Sequence, residues 1–352
     1  MRVCMLTTSY PRWTGDTSGN FIRDLVQHVC EAGELDAVVL APGHPKAAPQ
    51  EESESCKVHR LTYFLPRRLQ QLAYGDGIPW NLRGSLAAWL NLPFLMLAFA
   101  LAVIRYGRRS DIIHAHWGPL GALAILVRLF HRRPVVLTVH GTDLRANMGV
   151  IRWITRWSVR RADAVLTPSQ EFHDELLRVR PDRDRCLFMP NGITLPTTEE
   201  IREQREAHKS EEYPRILTVG RLISERRHEM LIDILAELRQ SFPKATLTIV
   251  GGGRRFDALK QRADERGVSD AVQLVGRVPP DNVPEYLLSA DVYVSPTTIE
   301  NFGTAVVEAA AHGLPVVTTA VGFPAELVLD GESGRIVPPG DAAQLAAALR
   351  EI

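Results

Sequence analysis

Short apolar runs alternate with helix-length amphipathic segments along most of the chain. In the first half, strand-like runs lie at residues 2–7, 36–41, 57–62, 111–114, 134–139, 163–167 and 186–189, with helical patterns such as 21–32 and 120–130 between them. After residue 213 the alternation restarts, with strand-like runs at 215–219, 246–250, 272–275, 292–295, 315–318 and 335–337, and helical patterns such as 228–240. Such alternation implies right-handed crossovers and a mostly parallel sheet that is covered on both faces. We therefore predict an α/β fold.

A polar stretch separates the two series of strands. Pro190, Asn191 and Gly192 are a turn signal, and residues 197–213 are rich in Glu and Arg without an apolar stripe, which is typical of a linker or a solvated helix. A chain of 352 residues has the length of about two domains. We predict two doubly wound, Rossmann-like domains at residues 1–192 and 214–352, with a linker at 193–213. Because such folds bind ligands at the carboxyl ends of their strands, a cleft between the two domains is the expected site.

One apolar run is long enough to raise the question of a membrane. Residues 86–104 contain no charge over 19 positions and are flanked by arginines at 83, 105, 108 and 109. The length is that of a transmembrane candidate. However, Pro93 interrupts the run, Asn91 is polar, and strand-like runs lie on both sides. Three interpretations follow: a true span, a buried crossover helix, and a helix partly exposed to lipid.

The net charge of zero argues against a dedicated nucleic-acid-binding protein, which would favour a basic excess. The charge is unevenly distributed, since residues 1–195 contain 24 Lys and Arg against 17 Asp and Glu, a net charge of +7, and the remainder carries −7. The basic half is suited to face an anionic surface or substrate, unless the asymmetry reflects composition alone.

The four cysteines, Cys4, Cys30, Cys56 and Cys186, show no C-x-x-C or metal-binding spacing. Since most lie in or beside apolar runs, we expect core residues. The N terminus enters a strand-like run directly, without the pattern of a signal peptide. Together these features favour the reducing cytoplasm.

The segment at residues 295–323 has the most chemical character. After a turn at Pro296 come two carboxylates, Glu300 and Glu308. Asn301 is a candidate N-cap, which predicts a helix at residues 302–312 with unpaired backbone N–H groups in its first turn. If both glutamates followed a helical rise, they would lie about 12 Å apart, which is about the reach of a nucleotide-sugar from its sugar to its ribose.

Other candidate residues follow predicted strands. The loop with Gly15 and Gly19 precedes a helix and allows a ligand to approach backbone N–H groups, although it lacks the G-x-G-x-x-G dinucleotide pattern. His114, His116 and His140 each lie at a strand end, the last with Asp143 nearby. No carboxylate or cysteine spacing completes a metal site around these histidines.

Two arginines and a glycine run stand out in the second half. Arg221 and Arg226 follow the strand at 215–219 and are suited to clamp a diphosphate through charge-assisted hydrogen bonds. Gly251, with the two glycines after it, offers bare backbone to a ligand. The sequence Asp182-Arg183-Asp184 is similar to a metal-binding D-x-D motif, but its polar surroundings indicate a solvated loop.

Taken together, these residues resemble the retaining glycosyltransferases of family 4, the group 1 glycosyl transferases, which have the GT-B fold. The resemblance covers nearly the whole chain, and its most specific part is Glu300-Asn301-Phe302-Gly303, then Glu308-Ala309 and Gly313-Leu314-Pro315. The matching order continues through Gly322, Glu326, Gly331, Gly334 and Pro338-Pro339-Gly340-Asp341. Further matches are Gly220-Arg221-Leu222, Pro11 with Gly15 and Gly19, His140-Gly141-x-Asp143, and Pro190-Asn191-Gly192.

The resemblance implies a role for each matching residue. Glu308 would bind the ribose hydroxyls, and Glu300 would bind the transferred sugar together with the backbone of Asn301, Phe302, Gly303 and Thr304. Arg221 and Arg226 would hold the diphosphate, and the main chain at Arg277 and Val278 would contact the base. His140 would lie near the sugar or the reacting centre, and the Gly15 and Gly19 loop near the donor phosphates and the acceptor.

The resemblance also implies chemistry without a cofactor or a metal ion. Two guanidinium groups and a helix N terminus would stabilise the leaving diphosphate, and retention by front-face substitution would follow because no carboxylate is obviously placed as a nucleophile. The sequence departs from the family at Arg226, where Lys is common, at Arg227, where Gly is common, and at Thr194, where Asp is common. The usual C-terminal helix that crosses back to the first domain is not found before Ile352, which leaves either a truncated chain or an absent crossing.

We therefore expect a retaining, metal-independent glycosyltransferase that moves a sugar from a UDP- or GDP-sugar to a glycan or lipid-linked acceptor in cell-surface polysaccharide or glycolipid synthesis. The apolar run at 86–104 and the basic, Trp-containing segment with Arg152, Arg156 and Arg160 suggest peripheral contact with an anionic membrane surface, unless both are ordinary helices. The alternatives are a nucleotide-sugar epimerase of the same fold and a non-catalytic nucleotide-sugar-binding protein.

Overall fold

The computed structural model describes residues 1–33, 35–52, 56–70, 72–74, 77–78, 81–82, 85–140, 143–144, 149–193, 195–207 and 213–352. The chain divides into two compact units, Met1–Gly192 and Ile193–Ile352. Each unit contains a largely parallel sheet with helices packed on it, so the predicted α/β fold with two doubly wound domains is confirmed. Arg83, Gly141 and Thr194, which the sequence singled out, lie outside the described residues, as do parts of the predicted linker.

The sheet of unit 1 has the strand order β3-β4-β2-β1-β5-β6-β7-β8 and is parallel except for the β3–β4 pair. The strands are β1 (Arg2–Thr7), β2 (Asp36–Pro42), β3 (Gln50–Glu52), β4 (Cys56–Leu61), β5 (Ile112–His116), β6 (Val135–Thr138), β7 (Ala164–Thr167) and β8 (Cys186–Phe188). The helices are α1 (Asn20–Glu31), α2 (Leu86–Gly107), α3 (Gly118–Leu126), α4 (Arg128–His131), α5 (Gly149–Arg161) and α6 (Gln170–Val179), with a short 3-10 turn at Arg67–Leu69.

Helix α1 packs on one face of this sheet and α2 to α6 pack on the other. Ile22 and Val26 of α1 pack in a cluster with Val3 and Met5 of β1, whereas Leu95 and Phe99 of α2 pack in a second cluster with residues of the opposite face. This division follows from the topology, because right-handed crossovers that move in opposite directions along a sheet place their helices on opposite faces. The carboxyl ends of β1, β5 and β6 therefore meet at one edge.

Helix α2 is partly buried. Among the described residues it is the one helix long and apolar enough to cross a membrane. Its inner face, with Leu95, Phe99 and Val103, lies in the core of unit 1, whereas Leu90 and Leu97 on its outer face are exposed. The interpretation as a buried crossover helix thus holds for one face only.

The sheet of unit 2 has the order β11-β10-β9-β12-β13-β14, with every pair parallel. The strands are β9 (Arg215–Val219), β10 (Thr246–Val250), β11 (Val272–Gly276), β12 (Val292–Ser295), β13 (Val316–Thr319) and β14 (Gly334–Val337). The helices are α7 (Thr198–Ala207), α8 (His228–Leu238), α9 (Phe256–Arg266), α10 (Val283–Ser289), α11 (Thr304–Ala311), α12 (Gly322–Leu327) and α13 (Ala342–Glu351), with 3-10 turns at Ser224–Arg226 and Pro280–Asn282.

Each strand predicted from an apolar run is present, with ends that differ by at most two residues. Strand β3 was not predicted, because its three residues are exposed and polar and lack an apolar alternation. The predicted helix at 120–130 is two helices, which meet at Val127. The stretch predicted as linker or solvated helix begins with α7, and all four cysteines are buried free thiols, as expected for core residues.

Candidate active site

In unit 2, backbone hydrogen bonds join the loops after β9 and β10 to each other and to the ends of β10 and β11. The N–H of Gly220 donates to Val250 O (2.9 Å), that of Leu222 to Gly252 O (3.1 Å), and that of Gly251 to Gly276 O (2.8 Å). A Cβ on Gly251 would lie 1.8 Å from Gly220 O, at a φ of 146° that L side chains rarely adopt. Glycine at 251 is therefore what allows the loops after β9 and β10 to approach so closely.

Arg226 and Glu300 form an ion pair at these strand ends. The Nη1 of Arg226 donates to Oε2 of Glu300, although the two residues are 74 positions apart. The Glu300 side chain is 8% exposed and that of Arg226 is 25% exposed, so the pair is partly shielded from water. The other carboxylate oxygen of Glu300 accepts the N–H of Asn301 at 3.0 Å. The site thus contains a charged pair whose arginine still reaches solvent.

Two glycines fix the backbone around Glu300. Gly303 has a φ of 67°, and a Cβ on it would lie 2.6 Å from Pro324 Cγ and 3.2 Å from Glu300 Cγ. Gly322 has a φ of 61°, and its Cβ would lie 2.4 Å from Glu300 O. In addition, the N–H of Phe323 donates to Asn301 O at 2.9 Å. Only glycine fits both positions without moving the Glu300 loop.

The predicted start of the helix with Glu308 was wrong. Helix α11 begins at Thr304, and its N-cap is Gly303 in the left-handed region, with no side-chain cap. Asn301 therefore does not cap the helix, and its buried Oδ1 has no hydrogen-bond partner among the residues described. The expected uncapped first turn is present. Because Glu300 precedes the helix, the 12 Å separation derived from helical rise does not apply.

Tyr293 of β12 lies beneath these charges. Its hydroxyl donates to Val219 O at 3.1 Å, at the end of β9. Burial raises the pKa of Tyr293, the guanidinium of Arg226 lowers it, and the charges of Glu300 and Glu308 raise it further. All three charged residues therefore lie close enough to act electrostatically on one phenol. Tyr293 was not predicted from the sequence, because a buried tyrosine in a strand is typical of any core.

The remaining predicted residues of unit 2 lie on the loops at the same strand ends. Arg221 is exposed on the loop after β9, and Arg277 packs over Gly252, where a Cβ would lie 2.5 Å from its Cγ. Val278 packs against the cluster that contains Tyr293, and Phe302 is buried and stacks on Phe323 with ring centroids 5.0 Å apart. The predicted residues of unit 2 therefore all lie on loops or the helix that follow β9 to β12.

In unit 1, three histidines form a row at the ends of β5 and β6. The ring centroids of His114 and His116 are 4.3 Å apart, and Nδ1 of His116 is 3.3 Å from Nε2 of His140. Burial lowers the pKa of His114 and of His140 to about 4, and it holds that of His116 well below its usual value. All three rings are therefore neutral at pH 7, which suits His140 for hydrogen bonding rather than for carrying a charge.

The loop after β1 meets this row through α1. Gly19 has a φ of 75° and caps α1, and the ring of Phe21 in the first turn contacts that of His140 with centroids 5.0 Å apart. A Cβ on Gly19 would lie 2.3 Å from Ser9 O, so the loop closes on itself. Gly15 also has a positive φ, of 84°. The structure thus brings the first turn of α1, which Gly19 caps, next to His140.

Sequence reasoning missed two features of this edge. Arg12 and Asp16 form a two-point ion pair, with Nε–Oδ2 at 2.6 Å and Nη2–Oδ1 at 3.0 Å. Burial alone would raise the pKa of Asp16, but hydrogen bonds from Arg12 lower it below its usual value. The second feature is Trp117, which has a φ of 113° directly before α3. Asp143 accepts the N–H of Gly118 at 3.2 Å and so orients the start of that helix.

The D-x-D sequence is an exposed ion-pair loop. Asp182 lies 3.3 Å from Arg180 Nη2 and 3.6 Å from Arg185 Nε, and both it and Asp184 are exposed. The interpretation as a solvated loop is confirmed. In the described part of the chain, no group of three or more His, Cys, Asp or Glu side chains is arranged to hold a metal ion.

Comparison with known proteins identifies the family. Residues 17–192 match the family model "Glycosyl transferase 4-like domain", and residues 200–352 match "Glycosyl transferases group 1". The chain belongs to the group 1 glycosyl transferases. It is a transferase with the GT-B fold, as the resemblance implied.

Similar proteins from bacteria support this assignment. The enzyme is 29% identical to the glycogen synthase of Mycobacterium tuberculosis, over 100% of this chain and 86% of that protein. It is 28% identical to a GDP-mannose-dependent phosphatidylinositol monomannoside mannosyltransferase of Mycolicibacterium smegmatis, over 85% and 82% of the two chains. The crystal structure of Anabaena HepE in complex with UDP shares its fold, with a TM-score of 0.71 and 19% identity over 100% and 89% of the chains.

Proposed function

We propose that this glycosyltransferase moves a sugar, with retention and without a metal ion, from a UDP- or GDP-sugar to a glycan or lipid-linked acceptor. The observation that carries the proposal is the Arg226–Glu300 pair at the strand ends of unit 2. It places a cation suited to a diphosphate next to a carboxylate suited to sugar hydroxyls. The family membership supports the same chemistry.

In the proposed reaction, the acceptor oxygen bonds to the anomeric carbon while the bond from that carbon to the diphosphate oxygen breaks. Negative charge accumulates on the leaving oxygen, and Arg221, Arg226 and the uncapped N terminus of α11 stabilise it. The leaving phosphate takes the proton of the acceptor hydroxyl on the same face. No carboxylate nucleophile is needed, so Glu300 and Glu308 serve as hydroxyl binders.

The ion pair suggests an order of events. Without a donor, Glu300 is neutralised by Arg226. An arriving diphosphate competes for the guanidinium group, which frees a carboxylate oxygen of Glu300 for the sugar. Glu308, just over one turn into α11, is the proposed ligand of the ribose hydroxyls. The main chain at Arg277 and Val278 is the proposed ligand of the base. In unit 1, His140 and the loop with Gly15 and Gly19 keep their predicted roles near the sugar and the acceptor.

The relatives support both classes of nucleotide. The mannosyltransferase of M. smegmatis depends on GDP-mannose, and Anabaena HepE was crystallised with UDP. The same mannosyltransferase acts on a lipid-linked sugar, which supports a lipid-linked acceptor among the candidates. We therefore propose a role in polysaccharide or glycolipid synthesis, in the reducing cytoplasm that the four free cysteines favour.

The donor is tested by thermal shift of the purified protein against a panel of UDP- and GDP-sugars. The proposal predicts that at least one of them raises the unfolding temperature, because a ligand that binds only the folded state stabilises it. If no member of either series does so, the donor assignment is wrong. The control is the free sugar, which should have no effect at the same concentration.

Three further measurements test the proposed reaction once a donor is known. NMR of the product should show the anomeric configuration of the donor, and inversion would contradict the front-face reaction. Transfer should continue in excess EDTA, and loss of activity that Mn²⁺ restores would contradict metal independence. Incubation with the donor alone should yield no epimerised nucleotide-sugar, which distinguishes transfer from epimerisation.

A further inference from the structure

Helix α2 presents an unusual row of apolar side chains to solvent. The row consists of Leu86, Leu90, Phe94, Leu97 and Leu101, which are 49–85% exposed, and Trp89 beside it is 50% exposed. Their spacing of three or four residues places them on one side of the helix, opposite the buried Leu95 and Phe99. The row is about 22 Å long at 1.5 Å per residue. A soluble monomer rarely leaves such a row uncovered.

The neighbouring helices extend this apolar surface. Helix α2 packs beside α3 and α4, and α3 packs beside α5. Large exposed apolar side chains lie on these neighbours, at Leu126, Leu129, Phe130, Val150 and Trp153. All these helices cover the same face of the sheet of unit 1. We call this surface the α2–α5 face.

The charge of the α2–α5 face is strongly positive. Residues 85–161 contain eleven arginines and two aspartates, a net charge of +9. Of the two aspartates, Asp143 is buried, and Asp111 accepts the backbone N–H of Arg2 at 2.8 Å. Arg128 forms an ion pair with Asp163, with Nη2 2.6 Å from Oδ2, whereas Asp143 and Asp111 do little to neutralise the other arginines.

Helix α5 carries a row of arginines. Arg152, Arg156 and Arg160 are spaced four residues apart and exposed on one side of the helix, beside Trp153. None of the three forms an ion pair with any residue that the structure describes. Their guanidinium groups are thus available to an external anion.

We propose that the α2–α5 face docks on an anionic lipid bilayer. The apolar row enters the boundary between headgroups and acyl chains, and the arginines bind anionic headgroups. Their long aliphatic stems let the charge stay at the headgroup level while the apolar side chains go deeper. A second copy of this chain is the poorer partner, because the exposed arginines of two such faces would repel each other.

This docking is independent of the transfer reaction. The docking arginines lie on unit 1, whereas the proposed donor residues Arg226, Glu300 and Glu308 lie on unit 2. Failure of the docking proposal would leave the proposed transferase activity intact, and a failed donor screen would leave the docking proposal intact.

The test is flotation of the protein with vesicles of phosphatidylglycerol and phosphatidylcholine, and with vesicles of phosphatidylcholine alone. We expect binding to the anionic vesicles at low salt and weak binding to the neutral ones. The charge variant is Arg152→Gln/Arg156→Gln/Arg160→Gln. Since each basic residue near an anionic surface contributes about five-fold to binding, the affinity should fall on the order of 100-fold.

A matched variant controls for net charge. Lys244→Gln/Lys260→Gln/Arg350→Gln removes the same charge from exposed positions of unit 2, and its binding should equal that of the wild type. The apolar variant Leu90→Ser/Leu97→Ser should weaken binding by about ten-fold per leucine, including the part that persists at high salt. Cooperative thermal unfolding of every variant shows that each is folded.

Three outcomes would overturn the proposal. The first is no flotation with anionic vesicles at low salt. The second is binding that the arginine variant retains in full or that the control variant loses equally. The third is a concentration-dependent dimer, seen by light scattering without vesicles and abolished by the leucine variant, which would identify a second copy as the partner.

Discussion

Replacement of Gly322 by alanine perturbs the site through the backbone of Glu300. The glycine has a φ of 61°, and an added Cβ would lie 2.4 Å from Glu300 O, 2.8 Å from Glu300 C and 2.9 Å from Asn301 O. These are backbone atoms, so no side chain can rotate away to make room. The Glu300 loop must therefore move, or the helix α12 that begins at Gly322 must shift.

The magnitude has two parts. An L-residue in the left-handed region costs roughly 1–2 kcal/mol, and overpacking against fixed atoms costs roughly 1–3 kcal/mol more. Gly313→Ala is the matched control, because Gly313 has a similar φ of 70° but its Cβ would meet nothing within 4 Å. It should show the first part alone. The difference between the two variants measures the steric contact.

Urea unfolding of the wild type and both variants gives the two free energies of unfolding. We expect Gly322→Ala to be destabilised by about 2–5 kcal/mol and Gly313→Ala by about 1–2 kcal/mol. Donor affinity, measured by calorimetry under conditions where both variants are folded, should fall in Gly322→Ala only. Equal destabilisation of the two variants, with equal donor affinity, would refute the contact between Gly322 and the Glu300 loop.

Two other predictions concern charge. Glu300→Gln should lower sugar transfer by roughly 10- to 150-fold, the value of a hydrogen bond to a charged group, while the affinity for the nucleoside diphosphate alone stays equal or rises, because Arg226 is released. The control is Glu225→Gln, which changes an exposed carboxylate on the same loop as Arg226. A loss of nucleoside diphosphate affinity in Glu300→Gln as large as the loss of transfer would contradict the sugar-binding role. Burial lowers the pKa of His228 to about 4, below its unfolded value of about 6.5, so its neutral form favours folding above pH 6.5 and this contribution is lost as the pH falls through 4. The stability difference between wild type and His228→Gln should therefore change by about 3 kcal/mol between pH 7 and pH 4 in urea unfolding, and a difference independent of pH would contradict the buried neutral ring.

The strands were predictable from the sequence because they are buried, and burial requires apolar runs. The uniformly buried β12 and β13 are examples. Strand β3 was not predictable from an apolar run, since it is defined by its pairing with β4 and not by burial. The start of α11 was misplaced because Asn301 is a good N-cap by residue type, whereas Gly303 adopts the left-handed conformation that begins the helix.

The site was predictable in part. The glutamates and arginines were identified by residue type and position after strands, and by resemblance to a family. The ion pair between Arg226 and Glu300 was not predictable, because these residues are 74 positions apart and meet only once β9 and β12 lie side by side. The contact of Phe21 with His140 likewise depends on the start of α1 and the loop after β6 meeting at the same sheet edge. Such contacts belong to tertiary structure, and no local pattern encodes them.

We propose that unit 2 holds the nucleotide-sugar through Glu308 and the arginines at its strand ends. The test is calorimetric titration of the nucleotide-sugar found by thermal shift into the wild type, Glu308→Gln and Glu332→Gln. Glu332→Gln is the control, since Glu332 is an exposed glutamate to which no role is assigned. We expect the dissociation constant to rise by roughly 10- to 150-fold in Glu308→Gln, which corresponds to the loss of one charge-assisted hydrogen bond, and to stay unchanged in Glu332→Gln. A folded Glu308→Gln variant that binds the donor as tightly as the wild type would contradict it.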